Sequence, residues 1–462
     1  MPVDRKENKM KEKKDVFEQG AIRDARTLGL PRMLILGLQH MFAMFGATVL
    51  VPIIVQNQYN LPLNTQTTLF FAGLGTLLVH VCTKMKVPAF LGSSFAFLGG
   101  FAAMGSMDGG IYATMSQAEK LQYATGGIVV AGLMYILFAM IVKLVGVHRV
   151  MRFLPPVVTG PIIILIGLNL APSAVSNAAT CWPLALFSIA VIVVANIWGK
   201  GMIKIIPILL GVVVPYVVAV VCGMVDFGAL EGVAVIGLQP FVTNFSGSIA
   251  KFDISAILVM APIAIAAMME HVGDMSAISA TVGENFIEEP GMHRTLIGDG
   301  IATALAGMFG GPANTTYGEN TGVLVLSRVY DPRVIRLAAV YAIALSFSPA
   351  FAVIINTIPA AIIGGVSFIL YGMISAIGMR NVVENRVDFT NSRNLVIAAV
   401  ILVCGLGFSS GITFQVGSAS ITLTSLAIAA IAGIALNAIL PGNDFQFGQS
   451  ENADTAADFG KY

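Results

Sequence analysis

The chain has 462 residues, of which 56% are hydrophobic and only 11% are charged, with a mean hydropathy of +0.84. An ordinary soluble domain carries roughly 25% charged residues, so this composition excludes a chain of soluble globular domains. The net charge of +1 gives no sign of nucleic-acid binding. The first 32 residues hold 15 of the 51 charged residues. The sequence therefore predicts an all-α polytopic membrane protein with polar tails.

Apolar stretches near the length that a helix needs to cross a bilayer, about 20 residues, recur along the chain. The first begins only at Met33, too late for an ordinary signal peptide. We predict fourteen spans, of which spans 3 and 10 are short, polar and interrupted by glycine. Seven lie at 33–55, 67–83, 88–105, 124–146, 153–172, 181–198 and 203–225, and seven at 253–274, 292–310, 315–329, 333–355, 358–378, 393–410 and 418–440.

Basic residues between the spans indicate the orientation, because cytoplasmic loops are enriched in Lys and Arg. With the N-terminus in the cytoplasm, 24 of the 26 basic residues lie on the cytoplasmic side, and only Lys120 and Lys251 lie outside. If the number of spans were wrong by an odd number, the basic residues would no longer concentrate on one side of the membrane. We therefore expect a multi-pass protein of the cell (plasma or inner) membrane with both termini in the cytoplasm. The four cysteines are widely spaced and indicate neither a disulfide framework nor a zinc site.

Two tandem groups of seven spans have opposite orientations, an arrangement typical of secondary transporters. Three weak internal matches occur in the order that such a repeat requires. They pair Gln39-His40 with Glu270-His271, Pro88-Ala89 with Pro312-Ala313, and Leu154-Pro155 with Ile358-Pro359. The sequence therefore predicts a 7+7 inverted repeat.

Acidic residues inside the spans are few, and a carboxylate there is costly enough to be a functional candidate. Glu270 and Asp274 are four residues apart, hence on one face of span 8. Glu319 lies in the broken span 10. Asp299, five residues after Arg294, is expected to be an interfacial charge near a helix start.

The two broken spans cannot be plain lipid-facing helices, since irregular backbone is tolerated at that depth only inside protein or along a cavity. Segments 91–97 and 314–322 contain glycine and hydroxyl residues rather than a long apolar stripe. We expect them to meet near the bilayer centre, with free N–H groups of half-helices directed at one small ligand.

Four long motifs occur in order, at 39–52, 91–97, 270–273 and 314–320. They resemble hallmark segments of the bacterial uracil permeases, within the nucleobase/ascorbate transporter family, and the likeness runs from about residue 33 to 440. The resemblance implies fourteen spans divided between a core and a gate domain, in a homodimer held by the gate domain. The core would comprise 33–146 and 253–355 and the gate 153–225 and 358–440, flanked by cytosolic tails 1–32 and 441–462.

The resemblance also implies site residues and requires no metal or cofactor. Glu270 and Glu319 would hydrogen-bond uracil, the N–H groups of Phe95 and Gly318 would complete the site, and Phe95 and Tyr317 would lie beside the ring. Ser94, next to Phe95, is a further substrate-binding candidate. The candidates for proton coupling are Glu270, Asp274, Glu319 and His271. At Asp274 the chain departs from the histidine that uracil permeases can have there.

Uracil offers two N–H donors and two carbonyl acceptors, which carboxylates and backbone N–H groups can satisfy. Because uracil is neutral near pH 7, concentrating it requires a coupled cation, and a buried carboxylate can carry a proton. We therefore predict a transporter that imports uracil with protons as its core moves against its gate.

The alternatives are a proton-coupled purine carrier for xanthine or urate, and an anion transporter or channel of the same fold. An intramembrane hydrolase using Ser93 or Ser94 with His40 or His271 is disfavoured, because no nucleophile-elbow spacing is present.

Overall fold

The computed structural model describes residues 21–237, 249–409, 411–416 and 419–442. Most of both predicted tails, residues 1–20 and 443–462, therefore lies outside the described residues. The α-helices of the first half are α1 (Leu30–Tyr59), α2 (Thr65–Cys82), α3 (Leu98–Gly105), α4 (Gln117–Val145), α5 (Val147–Met151), α6 (Pro156–Ala178), α7 (Trp182–Ile197), α8 (Met202–Ile205) and α9 (Pro207–Val221). Those of the second half are α10 (Ile254–Met260), α11 (Ile263–Val282), α12 (Met292–Met308), α13 (Gly318–Ser327), α14 (Pro332–Ser346), α15 (Pro349–Asn356), α16 (Ala360–Glu384), α17 (Ser392–Gly407) and α18 (Ser425–Ile439).

Every predicted span coincides with a helix, a helix pair, or a strand followed by a helix. In the described ranges, six helical stretches are long and apolar enough to cross a membrane: α1, α2, α4, α6, α10 with α11, and α16. The pair α14 and α15, bent by 86°, would make a seventh. Other predicted spans are shorter apolar helices, so the count of fourteen crossings stays a prediction.

Within the described ranges, four short strands interrupt the helices and form two antiparallel pairs, which an all-α fold does not anticipate. Strand β1 (Leu91–Ser93) pairs with β2 (Asn314–Thr316), and β3 (Ile412–Val416) pairs with β4 (Ala419–Leu423). The prediction that span 14 begins at residue 418 is therefore wrong for its first residues. Helix α18 begins only at Ser425, because the Thr424 hydroxyl accepts from the Ala427 N–H and caps it.

Helices pack in pairs that recur between the two halves of the chain. The contact between α4 and α12 corresponds to the contact between α14 and α2. The contact between α7 and α16 corresponds to that between α17 and α6, and the contact between α9 and α7 corresponds to that between α18 and α17. In each of these three comparisons, both helices of the second pair belong to predicted spans that lie seven places earlier or later in the chain than those of the first pair. A seven-span internal repeat requires this correspondence.

Small residues allow the closest of these contacts, as is usual between membrane helices. A Cβ added to Gly132 on α4 would lie 2.6 Å from the Gly300 carbonyl oxygen on α12. A Cβ added to Gly167 on α6 would lie 2.2 Å from the Tyr371 carbonyl oxygen on α16. At these two crossings the backbones approach so closely that only glycine fits.

The segment before α1 is bound to the loop between α13 and α14. Ile22 forms a parallel bridge with Val329, and the Ala25 N–H donates to Asp331 Oδ2 at 2.8 Å. Hydrogen bonds from Arg26 lower the pKa of the exposed Asp24 to about 2, so this carboxylate stays ionised at neutral pH. The end of the predicted N-terminal tail is thus packed, and α1 begins at Leu30 rather than Met33.

Candidate functional site

The pairing of β1 with β2 brings the two broken segments together, as the sequence analysis predicts. Leu91 lies opposite Thr316, and Ser93 lies opposite Asn314. The Ser94 N–H donates to the Ala313 carbonyl at 2.8 Å, and the Tyr317 N–H donates to the Phe90 carbonyl at 2.9 Å. Backbone groups that would be costly inside a membrane are paired in this way. Both chains then turn into helices, β1 through a 3₁₀ turn (Phe95–Phe97) into α3 and β2 directly into α13.

Tyr317 is locked across β1. Its hydroxyl donates to the Ser93 carbonyl oxygen at 2.9 Å, and its ring lies against Gly92, where an added Cβ would be 2.2 Å from the ring. The Ser93 hydroxyl in turn donates to the Thr48 carbonyl on α1 at 2.8 Å. These contacts fix the backbone that leads into Gly318. The hydroxyl of Ser93 is therefore directed at a carbonyl and not at a histidine. The hydrolase alternative would need a hydrogen bond between the serine and a histidine.

Phe95 and Tyr371 bring spans 3 and 12 into contact. Their ring centroids are 5.9 Å apart in an edge-to-face arrangement, a favourable geometry for aromatic pairs, and both side chains are buried. Ser94, also buried, lies between Phe95 and β1. The sequence analysis missed Tyr371, and the only signal for it was a tyrosine inside an apolar span.

Asp274 of α11 faces the start of α13. Asp274 is only 5% exposed, which argues against a carboxylate at a helix end facing water. Its Oδ1 lies 3.1 Å from the point where a Cβ would stand on Gly318, and Ile377 of α16 lies 3.4 Å from the same point. Glu270, half-buried, is one turn earlier on α11. Glu319 is the second residue of α13, and its side chain lies outside the described part of the chain.

His271 and Asp299 form a fully buried pair beside these residues. His271 Nδ1 lies 2.8 Å from Asp299 Oδ2, and both side chains are 0% exposed. The Thr295 hydroxyl lies 2.8 Å from His271 Nε2, and the Thr316 hydroxyl of β2 lies 3.1 Å from Nδ1. The prediction of an interfacial charge at Asp299 is therefore wrong. The missed signal was Thr295, four residues earlier and so on the same polar helix face.

His40, which the predicted repeat pairs with His271, holds the other side of the same segment. The Asn320 amide on α13 donates to the His40 carbonyl oxygen at 3.1 Å and lies 3.3 Å from His40 Nδ1. His40 is 0% exposed. Within the ranges the structure describes, no group of three or more His, Cys, Asp or Glu residues could hold a metal ion.

Solved structures resemble this arrangement of helices. The transmembrane domain of the cyanobacterial bicarbonate transporter BicA aligns with a TM-score of 0.56 at 16% identity, covering 84% of this chain and 97% of that chain. The overall structure of SLC26A9 aligns with a TM-score of 0.60 at 11% identity, covering 87% of this chain and 64% of that chain. At such identities the likeness shows the fold alone.

Sequence comparisons identify the family. Uracil permease of Bacillus caldolyticus is 40% identical, over 93% of this chain and 98% of that protein. Uracil permease of Escherichia coli K12 is 36% identical over 87% and 90%, and putative pyrimidine permease RutG of the same strain is 37% identical over 92% of each. The model of the Permease family matches residues 31–414. The predicted multi-pass membrane protein is thereby confirmed, and the chain belongs to the Permease family of nucleobase/ascorbate transporters and is not an enzyme.

Proposed function

We propose that this protein imports uracil together with protons. Its relatives carry the names uracil permease and pyrimidine permease. The observation that carries the proposal is the β1–β2 pair, which holds Phe95 and Gly318 beside the acidic face of α11. Backbone N–H donors, an aromatic ring and carboxylates at these positions would together supply the groups that a small planar imide requires.

In the proposed complex the carboxylates of Glu270 and Glu319 accept the two N–H groups of uracil. The N–H groups of Phe95 and Gly318 donate to its carbonyl oxygens, aided by the positive end of α13. The Phe95 ring lies against the substrate, and Ser94 and Tyr317 support the backbone on either side. The Tyr317 hydroxyl already donates to Ser93, so we assign Tyr317 to holding the site rather than to binding polar atoms of the ligand.

Proton entry drives accumulation in this proposal, because a neutral substrate gains nothing from the membrane potential. Glu270, Asp274 and Glu319 would titrate as a coupled set, so the proton belongs to the group rather than to one residue. His271 remains a proposed proton-coupling residue, since it contacts Asp299 and the Thr316 hydroxyl links it to β2.

Alternating access is proposed to follow movement of the core (33–146 and 253–355) against the gate (153–225 and 358–440). The recurring helix pairs support this division: the pairs of α4 with α12 and of α14 with α2 lie within the core, and the other recurring pairs lie within the gate. The gate would also form the homodimer contact. Both termini are proposed to lie in the cytoplasm, and this places the ends of α11 and α16 on the cytoplasmic side.

Uptake of labelled uracil into proteoliposomes tests the proposal. We expect accumulation when the outside is made acidic and its loss when a protonophore is added. An excess of unlabelled uracil should compete, whereas xanthine should not. Uptake that ignores the pH gradient would contradict proton coupling, and strong competition by xanthine would favour the purine carrier.

A further inference from the structure

A narrow polar crevice lies between α11 and the helices α6 and α16, and in this conformation its volume is about 20 Å³, room for about one water molecule. Its α11 wall is formed by Val272, Gly273 and Ser276, and its opposite wall carries Thr159, Asn381 and Asn385. The crevice therefore separates segments assigned above to the core from segments assigned to the gate.

The opposite wall is a ladder of amides. The Asn381 side-chain N–H donates to the Thr159 hydroxyl at 2.9 Å, and the Asn385 side-chain N–H donates to Asn381 Oδ1 at 2.9 Å. These bonds tie α6 to α16, which would be a sufficient role for polar side chains between membrane helices. The wall facing them across the crevice is Gly273. A Cβ added there would stand 3.0 Å from Ile163 Cδ1 on α6 and 3.9 Å from the Asn381 amide nitrogen, so the glycine allows α11 to approach α6 and keeps this part of the crevice open.

The crevice continues from the candidate site along two helices. On α16, Ile377 lies 3.4 Å from the point where a Cβ would stand on Gly318, and Asn381 and Asn385 follow at one-turn intervals. On α11, Gly273 precedes Asp274, the residue that faces Gly318. The crevice therefore begins one helical turn after the Gly318 contact on α16, at Asn381, and adjoins Asp274 on α11.

We propose that this crevice is a release subsite for the nucleobase on its way to the cytoplasm, and this rests on the function proposed above. The amides of Asn381 and Asn385 each present a donor and an acceptor, so they can exchange their mutual bonds for bonds to an imide. A leaving substrate then exchanges its hydrogen bonds to carboxylates for weaker hydrogen bonds to neutral amides before it reaches the cytoplasmic water. When the gate and core separate, the glycine at 273 leaves room for a planar ring.

Two substitutions, Asn381→Ala and Asn385→Ala, test the subsite, with Asn394→Ala on the exposed start of α17 as the matched control. Equilibrium uracil binding in detergent and uracil exchange in proteoliposomes are measured for each protein. We expect binding affinities within about twofold of wild type, whereas exchange falls at least about fivefold, a loss of the size that one ordinary hydrogen bond produces. Unchanged exchange, or equal losses of affinity and exchange, would overturn the subsite. Failure of the wild-type protein to bind uracil would instead overturn the proposed function.

A labelling experiment tests the same subsite without removing an amide. Ser276→Cys is introduced after Cys82, Cys181, Cys222 and Cys404, all free thiols, are replaced by serine. A membrane-impermeant maleimide added to inside-out vesicles should label this cysteine, and saturating uracil should slow the labelling. Asn394→Cys in the same background should react at a rate that uracil does not change. Labelling at 276 that is indifferent to uracil would overturn the proposal.

Discussion

Gly92→Ala should damage the site without touching the substrate. Gly92 lies on β1, against the face of the Tyr317 ring. An added Cβ would lie 2.2 Å from Cε2 and Cζ and 2.6 Å from the hydroxyl oxygen of Tyr317. Ordinary carbon contacts are about 3.5–4.0 Å, so the ring or the strand must move by more than about 1 Å.

The ring has little freedom to make that movement. Its hydroxyl donates to the Ser93 carbonyl oxygen, and its backbone N–H donates to the Phe90 carbonyl oxygen. Overpacking of this kind costs about 1–3 kcal/mol. Because Gly318 follows Tyr317 directly, we expect much of the cost to appear as displacement of the Gly318 N–H. A loss of 1–3 kcal/mol corresponds to uracil affinity weakened by about 5- to 150-fold.

Isothermal titration of purified protein with uracil measures this loss, and thermal unfolding in detergent reports the stability. Gly99→Ala is the matched control, since nothing lies within 4 Å of a Cβ added at this glycine of α3. We expect the control to bind as wild type does. If Gly92→Ala binds uracil as tightly as Gly99→Ala does, the ring contact does not position the site and the reasoning fails.

Three further predictions concern the carboxylates. Asp299→Ala leaves His271 buried without its carboxylate and should destabilise the protein by about 3–5 kcal/mol, seen as a lower melting temperature, whereas adding His271→Ala should cost less than the sum of the two changes. Glu319→Gln can present an amide donor to a substrate donor and should weaken uracil binding by about 1–3 kcal/mol; unchanged affinity in the purified variant would exclude the assigned role. Asp274→Asn should spare uracil binding more than pH-driven uptake. Equal losses would indicate a structural role for Asp274, and full retention of pH-driven uptake would exclude it from proton coupling.

Hydropathy and local composition predicted the positions of the helices because a bilayer sets a minimum length for each apolar stretch. The broken segments were predictable for a related reason. Polar and glycine-rich backbone at 91–97 and 314–322 needs partners inside the protein, and β1 and β2 supply them to each other. The antiparallel register itself was not predictable, since it depends on how the two halves of the chain pack.

Contacts between distant segments account for what the sequence did not reveal. Tyr371 reaches Phe95 only because α16 packs beside the 3₁₀ turn after β1, and no local pattern records that approach. Asp299 was misjudged because its distance from Arg294 suggested an interface, whereas its partner His271 lies on another helix. Ile22 likewise pairs with Val329, which lies far along the chain. Because no local pattern indicates this pairing, the sequence analysis predicted that the segment of Ile22 belongs to a polar tail.

The predicted repeat pairs His40 with His271, and in the fold both contact the same broken segment. His271 contacts the Thr316 hydroxyl, and His40 contacts the Asn320 amide, so both hold the second broken segment and neither holds the first. Residues 317–319 lie between these two anchors. A short stretch fixed at both ends presents the Gly318 N–H without an entropic cost of ordering it when a ligand binds. Helices α1 and α11, which the predicted repeat pairs with each other, thus both hold this half of the site. The first broken segment is held instead by its strand pairing and by the Ser93 bond to α1.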